Sequence, residues 1–175
     1  LALVTLRQAE ALHAWIAGRS EACLLATDRG LAIADRSGVL VWNDQLAAFG
    51  ATAAFSLGDA QRARPYLEIM AGNARTSPTF SSGNYHFSAG TDAFLRGDTA
   101  RADHEIARSL ETADVIGYPF ARAVSRIAYA QVLGVKRLAE ARAHLEEGRR
   151  IGEAAGAMLL VFGATLVRAD LALAT

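Results

Sequence analysis

At 175 residues the chain is long enough to bury a sizeable core as one compact domain or one continuous repeat array. Its 18 basic residues are balanced by 18 acidic ones, and this neutrality argues against direct nucleic-acid contact. A single cysteine, Cys23, excludes an internal disulfide, and with only 4 scattered histidines no metal-ligand cluster stands out; a reducing, cytoplasmic setting is expected.

Taken in chain order, the pattern predicts helices at about 3–17, 20–37, 40–57, 60–75, 80–96, 99–116, 119–134, 137–155 and 157–174. Between them, Gly58-Asp59 and Gly97-Asp98 each join a residue tolerant of φ > 0 to an acidic N-cap, the chemistry of a helical hairpin turn. Gly38, Gly117 and Gly156 are expected to stop the second, sixth and eighth helices, and Pro119 to open the seventh, where its missing N–H costs nothing. Pro65 falls on the second turn of the fourth helix, which predicts a late start or a kink.

The apolar runs 39–41 and 159–162 would suit short buried strands in isolation. Elsewhere, however, apolar and small residues recur at three and four, as in Phe120, Val124 and Ile127 or in Leu138, Ala141, Leu145 and Gly148, and alanine is a poor strand residue. The fold class is therefore expected to be all-α. The longest candidate membrane stretch, 157–167, is too short before Arg168 and Asp170 interrupt it, and Arg7 and Glu10 interrupt the apolar N-terminus, so no membrane association is expected.

Superimposed on the helices is a repeat. Phe55, Phe94 and Leu133 are spaced by 39 residues, as are Ala63, Ala102 and Ala141, and again Leu67, Ile106 and Leu145. A looser earlier copy includes Ile16, Gly18, Ala22 and Leu25. A fixed period in this range is the signature of a stacked repeat architecture, in which neighbouring units bury a continuous core. One repeat domain over 1–175 is expected, with about four and a half hairpins at approximately 1–38, 39–77, 78–117, 118–156 and 157–175. Leu1 in place of a methionine, and an end at Thr175 inside an apolar run, point to a fragment of a longer protein.

A small residue midway along the first helix (Ala51, Gly90), Gly-Asp at the turn, and a small and a larger apolar residue on the second helix together resemble the tetratricopeptide repeat. The second-helix pairs are Ala63 and Leu67, Ala102 and Ile106, Ala141 and Leu145. The usual unit has about 34 residues, Tyr129 replaces the small residue in the last copy, and Lys136-Arg137 replaces Gly-Asp there. The longer unit is more similar to the variant repeats of MalT-like or LuxR-type bacterial transcriptional regulators. That resemblance implies a right-handed superhelical stack of antiparallel hairpins acting as a sensor arm, which binds a protein, a peptide or a small-molecule inducer in its concave groove.

The chain has no phosphate-binding loop, no G-x-G-x-x-G, no G-x-S-x-G and no H-E-x-x-H, so neither an enzymatic activity nor a cofactor is expected. Asp35, Asp44, Asp92 and Asp114 are expected on solvated helix faces or at caps, and His86 as the histidine nearest to a ligand contact. The resemblance implies that first helices line the concave face. Its inward positions fall on Gln45, Ala48 and Thr52, then Asn84, Phe87 and Thr91, then Ala123 and Arg126, with Trp42, Tyr85, Phe120 and Arg122 flanking them. Arginine beside amides and aromatic rings suits an anionic or planar ligand or a peptide carboxylate. Trp42, Phe87 and Phe120 suit inter-repeat packing equally, and Arg126 has neighbouring acids to pair with. The alternative function is self-association as a homodimer through the apolar C-terminal helix, whose only charges are Arg168 and Asp170.

Overall fold

In the computed structural model, which describes residues 1–74 and 79–175, the chain forms nine α-helices and no strand among those residues. They are α1 (Ala2–Ile16), α2 (Ser20–Ser37), α3 (Asn43–Ser56), α4 (Ala60–Asn73), α5 (Phe80–Leu95), α6 (Thr99–Ile116), α7 (Pro119–Leu133), α8 (Leu138–Ala154) and α9 (Met158–Leu173), with a 3₁₀ turn, Gly134–Arg137, before α8. The end of the expected fourth helix lies outside the described residues. No described helix is long and apolar enough to cross a membrane. Both apolar runs weighed as strands have other conformations: 39–41 belongs to a turn in which the Asn43 N–H donates to the Leu40 carbonyl, and 159–162 lies inside α9. That turn also delays α3 to Asn43, three residues after its expected start.

The turns follow from local chemistry. At Gly58 and Gly97, φ is 73° and 77°, a left-handed conformation that any side chain would strain. The carboxylate of the next residue then caps the following helix: Asp59 Oδ1 accepts from the Arg62 amide at 2.9 Å and Asp98 Oδ1 from the Arg101 amide at 3.1 Å. Gly38 and Gly117 end α2 and α6, and Pro119 opens α7, as expected. Where Lys136-Arg137 replaces Gly-Asp, the tight turn becomes the 3₁₀ segment and α8 starts without a side-chain cap. Pro65 does not delay α4, which starts at Ala60 because the Asp59 cap fixes its first turn; the ring is exposed inside the helix.

The chain divides into two compact units, Leu1–Ser77 and Pro78–Thr175. In the first, each helix packs on the next and α1 also touches α3. Leu24, Leu46 and Met70 have no exposed surface and anchor the core; burying a side chain of this size contributes about 1.5–3 kcal/mol. Gly50 lets α3 approach α4 closely, since a Cβ there would lie 2.8 Å from the Tyr66 ring. The Tyr66 hydroxyl reaches past it to donate to Asp28. Cys23 is fully buried, its Sγ 3.7 Å from the Phe49 carbonyl, and desolvation pushes its thiol up to about 11 although a hydrogen bond with Thr27 opposes this.

In the second unit, consecutive helices again pack in antiparallel pairs, with α7 also touching α5 and α9. The direction is fixed by cross-helix contacts: Gly83 faces Thr112 and Gly90 faces Ile106 between α5 and α6, while Gly148 of α8 faces Ala123 and Ile127 of α7. Ala102, Ala141, Ile106 and Leu145, four members of the repeating columns, are all buried. At the junction of α5, α6 and α7, the Ser109 hydroxyl donates to the Gly83 carbonyl at 3.2 Å, so Ser125 donates to Ser109 at 3.0 Å. A buried polar pair is thereby satisfied.

Candidate functional site

Of the six residues expected to form a binding face, Trp42 and Gln45 belong to the first unit and Asn84, Phe87, Arg122 and Arg126 to the second. Trp42 precedes α3, and its indole N–H donates to Thr5 Oγ1 on α1 at 3.0 Å, which ties the two helices together. Gln45, in the first turn of α3, is half-buried. Asn84 and Phe87 are half-buried on α5, one turn apart, and the Phe87 carbonyl accepts a hydrogen bond from the Thr91 hydroxyl at 2.9 Å.

The strongest electrostatic feature among these positions joins α6 to α7. Asp114 receives two parallel hydrogen bonds from Arg126, at 3.0 and 2.9 Å, and a third from Arg122 Nε at 2.9 Å. Burial would raise the Asp114 carboxyl, but the guanidiniums of Arg126 and Arg122 outweigh it and hold the group below its ordinary range. Only 14% of the Arg126 side chain is exposed. Its Cβ packs beside Gly148 of α8, where a glycine Cβ would lie 3.2 Å away. The fork of Arg126 is thus fully engaged with Asp114, and its contacts are with α6 and α8. Arg122 uses only Nε on Asp114, which leaves its two terminal nitrogens as donors for a carboxylate or phosphate.

No protein-family model and no curated protein matches the chain. Among the described residues there is no group of three His, Cys, Asp or Glu side chains placed to hold a metal. His86 is engaged across α5 and α6 by Glu105, with Nδ1 and Oε2 2.7 Å apart and both side chains largely buried. Asp92, expected on a solvated face or at a cap, is instead buried. It is bound through both oxygens by Arg96 Nε at 2.9 Å, because α5 turns that face toward the core.

A feature not singled out from the sequence lies between α8 and α9. A cavity of about 250 Å³ opens there, lined by three arginines, Arg142, Arg149 and Arg168, and one acid, Glu146, with Leu145 and Ala164. Its signal in the sequence is a column comparison: Arg142 and Arg168 stand 39 residues after Asp103 and Tyr129.

Proposed function

We propose that the chain is a non-enzymatic binding scaffold, a tetratricopeptide-like right-handed superhelical stack that serves as the sensor or regulatory repeat region of a cytoplasmic bacterial transcriptional regulator. The observation that carries this reading is the burial of one repeating column: Ala63, Ala102 and Ala141, 39 residues apart, each have 0% exposed surface and sit at the same point of successive second helices. Antiparallel pairing within each unit and the repeated Gly-Asp caps support it. A protein, a peptide or a small-molecule inducer is bound by first helices: the first unit offers Trp42 and Gln45, and the second, taken by itself, offers Asn84, Phe87 and Arg122, with Arg126 positioning Arg122 through their shared Asp114.

Deleting the segment encoding residues 1–175 from its gene, followed by transcript profiling, tests the regulator reading. A change confined to a small set of promoters is expected, and an unchanged profile would refute it. Replacing Arg122 with Ala should reproduce the same change while leaving helical content unchanged and lowering stability by no more than about 1 kcal/mol, as for a half-exposed ion pair.

The second reading, homodimerisation through α9, is favoured by one specific observation. Phe162 and Leu166 are 61% and 52% exposed, whereas the residues 39 positions earlier, Ala123 and Ile127, are buried by α8. A second copy would cover the same face of α9. Sedimentation over a range of concentrations should then show dimerisation that Phe162→Glu removes, and a strictly monomeric chain would overturn this reading.

A further inference from the structure

The interface between α6 and α7 and that between α8 and α9 are related by the 39-residue offset, and they are built from opposite charges. Between α6 and α7, Tyr129 lies near Asp103, and Arg137 approaches the same carboxylate at 3.5 Å. The matching residues of the next interface are Arg168 and Arg142, two cations with no ion pair among the described residues.

Volume changes along with charge. Arg126, which fills the first interface, is matched by Thr165, whose hydroxyl donates to the Val161 carbonyl of its own helix at 3.0 Å. Asp114 is matched by Glu153, but the second interface has Val161 and Thr165 where the first has Arg122 and Arg126. Glu153 turns to Arg149 instead, which also binds Glu146 at 2.6 Å. Shortening Arg126 to Thr165 accompanies the cavity of about 250 Å³; Glu146 in its lining is salt-bridged to Arg149 and feels the charge of Arg168, whereas Arg142 has no ion pair among the described residues.

We infer that the groove between α8 and α9 is a binding site for a small organic oxyanion, a phosphate or carboxylate carried on an apolar body. Arg142 and Arg168 hold the oxyanion, which their planar forks match in shape and charge, and Leu145 and Ala164 receive the apolar part. This site is separate from the residues around Arg122 and does not depend on their role.

Calorimetric titration of the 175-residue chain with phenyl phosphate, with benzoate and with inorganic phosphate at low salt tests the inference. Saturable binding of one phenyl phosphate or one benzoate per chain is expected, the tighter of the two identifying the headgroup, and weaker binding of inorganic phosphate. Replacing Arg142 and Arg168 together with Gln should weaken binding by roughly tenfold or more, since each loses a charged hydrogen bond. Thr165→Arg, which restores the side chain of the preceding interface, should also weaken it despite adding a positive charge. Arg150→Gln, on the exposed side of α8, should leave affinity unchanged. Melting curves matching the parent chain confirm that each variant is folded. The proposal is overturned by an absence of saturable binding, by tighter binding in Thr165→Arg, by equal losses in Arg150→Gln and the double variant, or by inorganic phosphate binding as tightly as the organic anions.

Discussion

Replacing Gly90 with alanine isolates the close approach of α5 and α6 in a single methyl group. A Cβ at this position would lie 2.6 and 2.7 Å from Ile106 Cγ1 and Cδ1 and 3.1 Å from the Ile106 backbone nitrogen. Ile106 is 1% exposed, so its side chain has no free volume to rotate into, and the backbone contact requires the helices to part. Overpacking of this kind costs about 1–3 kcal/mol, while alanine in a helix gains about 1 kcal/mol over glycine. The net expectation is a loss of about 0–2 kcal/mol. Gly163, in α9 of the same unit, has nothing within 4 Å of the added methyl, so Gly163→Ala should show the propensity gain alone, a stabilisation of about 1 kcal/mol. Urea denaturation followed by circular dichroism measures both variants against the parent chain. If Gly90→Ala stabilises as much as Gly163→Ala, the contact between α5 and α6 is not the one described.

Two further outcomes follow from the turns and the ion pairs. Asp98→Ala should cost about 1 kcal/mol in the same denaturation experiment, because the Arg101 amide loses its cap, and Asp98→Asn should recover most of it. Asp114 has a carboxyl held low in the folded state, so its contribution is present above its unfolded pKa and is lost as pH falls through the lower folded value. The stability gap between the parent chain and Asp114→Asn should stay level near neutrality at no more than about 1 kcal/mol, given partial solvent screening, and close below roughly pH 4. A gap that widens in acid would contradict the assigned pairing.

The helices were legible because their signals are local. Gly58-Asp59 and Gly97-Asp98 carry both the left-handed turn and the cap within two adjacent residues, and the starts of α4 and α6 follow from them. The start of α8 was displaced by one residue where Lys136-Arg137 supplies neither function, and that of α3 by three where 39–41 turns first. The repeating alanines were legible as packing positions because a column spaced by 39 residues has no other common cause. The pairing of Arg126 with Asp114 was not legible. It joins residues 12 apart on different helices, and only the register of α6 against α7 decides whether the guanidinium meets Asp114 or solvent. Asp92 was misplaced for the same reason, since which face of α5 turns inward depends on the helices beside it. The groove between α8 and α9 arises from what the repeat replaces, Arg126 by Thr165 and Tyr129 by Arg168, whereas the 39-residue columns mark only what it keeps.

The buried thiol of Cys23 gives the first unit an internal clock. It is the only sulfhydryl in the chain, and it lies under the carbonyl of Phe49 between α2 and α3, with a proton held more tightly than that of a free thiol. A thiol-specific reagent therefore reacts only when those two helices separate, so the labelling rate reads how often the first unit opens. The second unit, which has no cysteine, stays silent in that measurement, and the opening of one half of the chain can be timed without labelling the other.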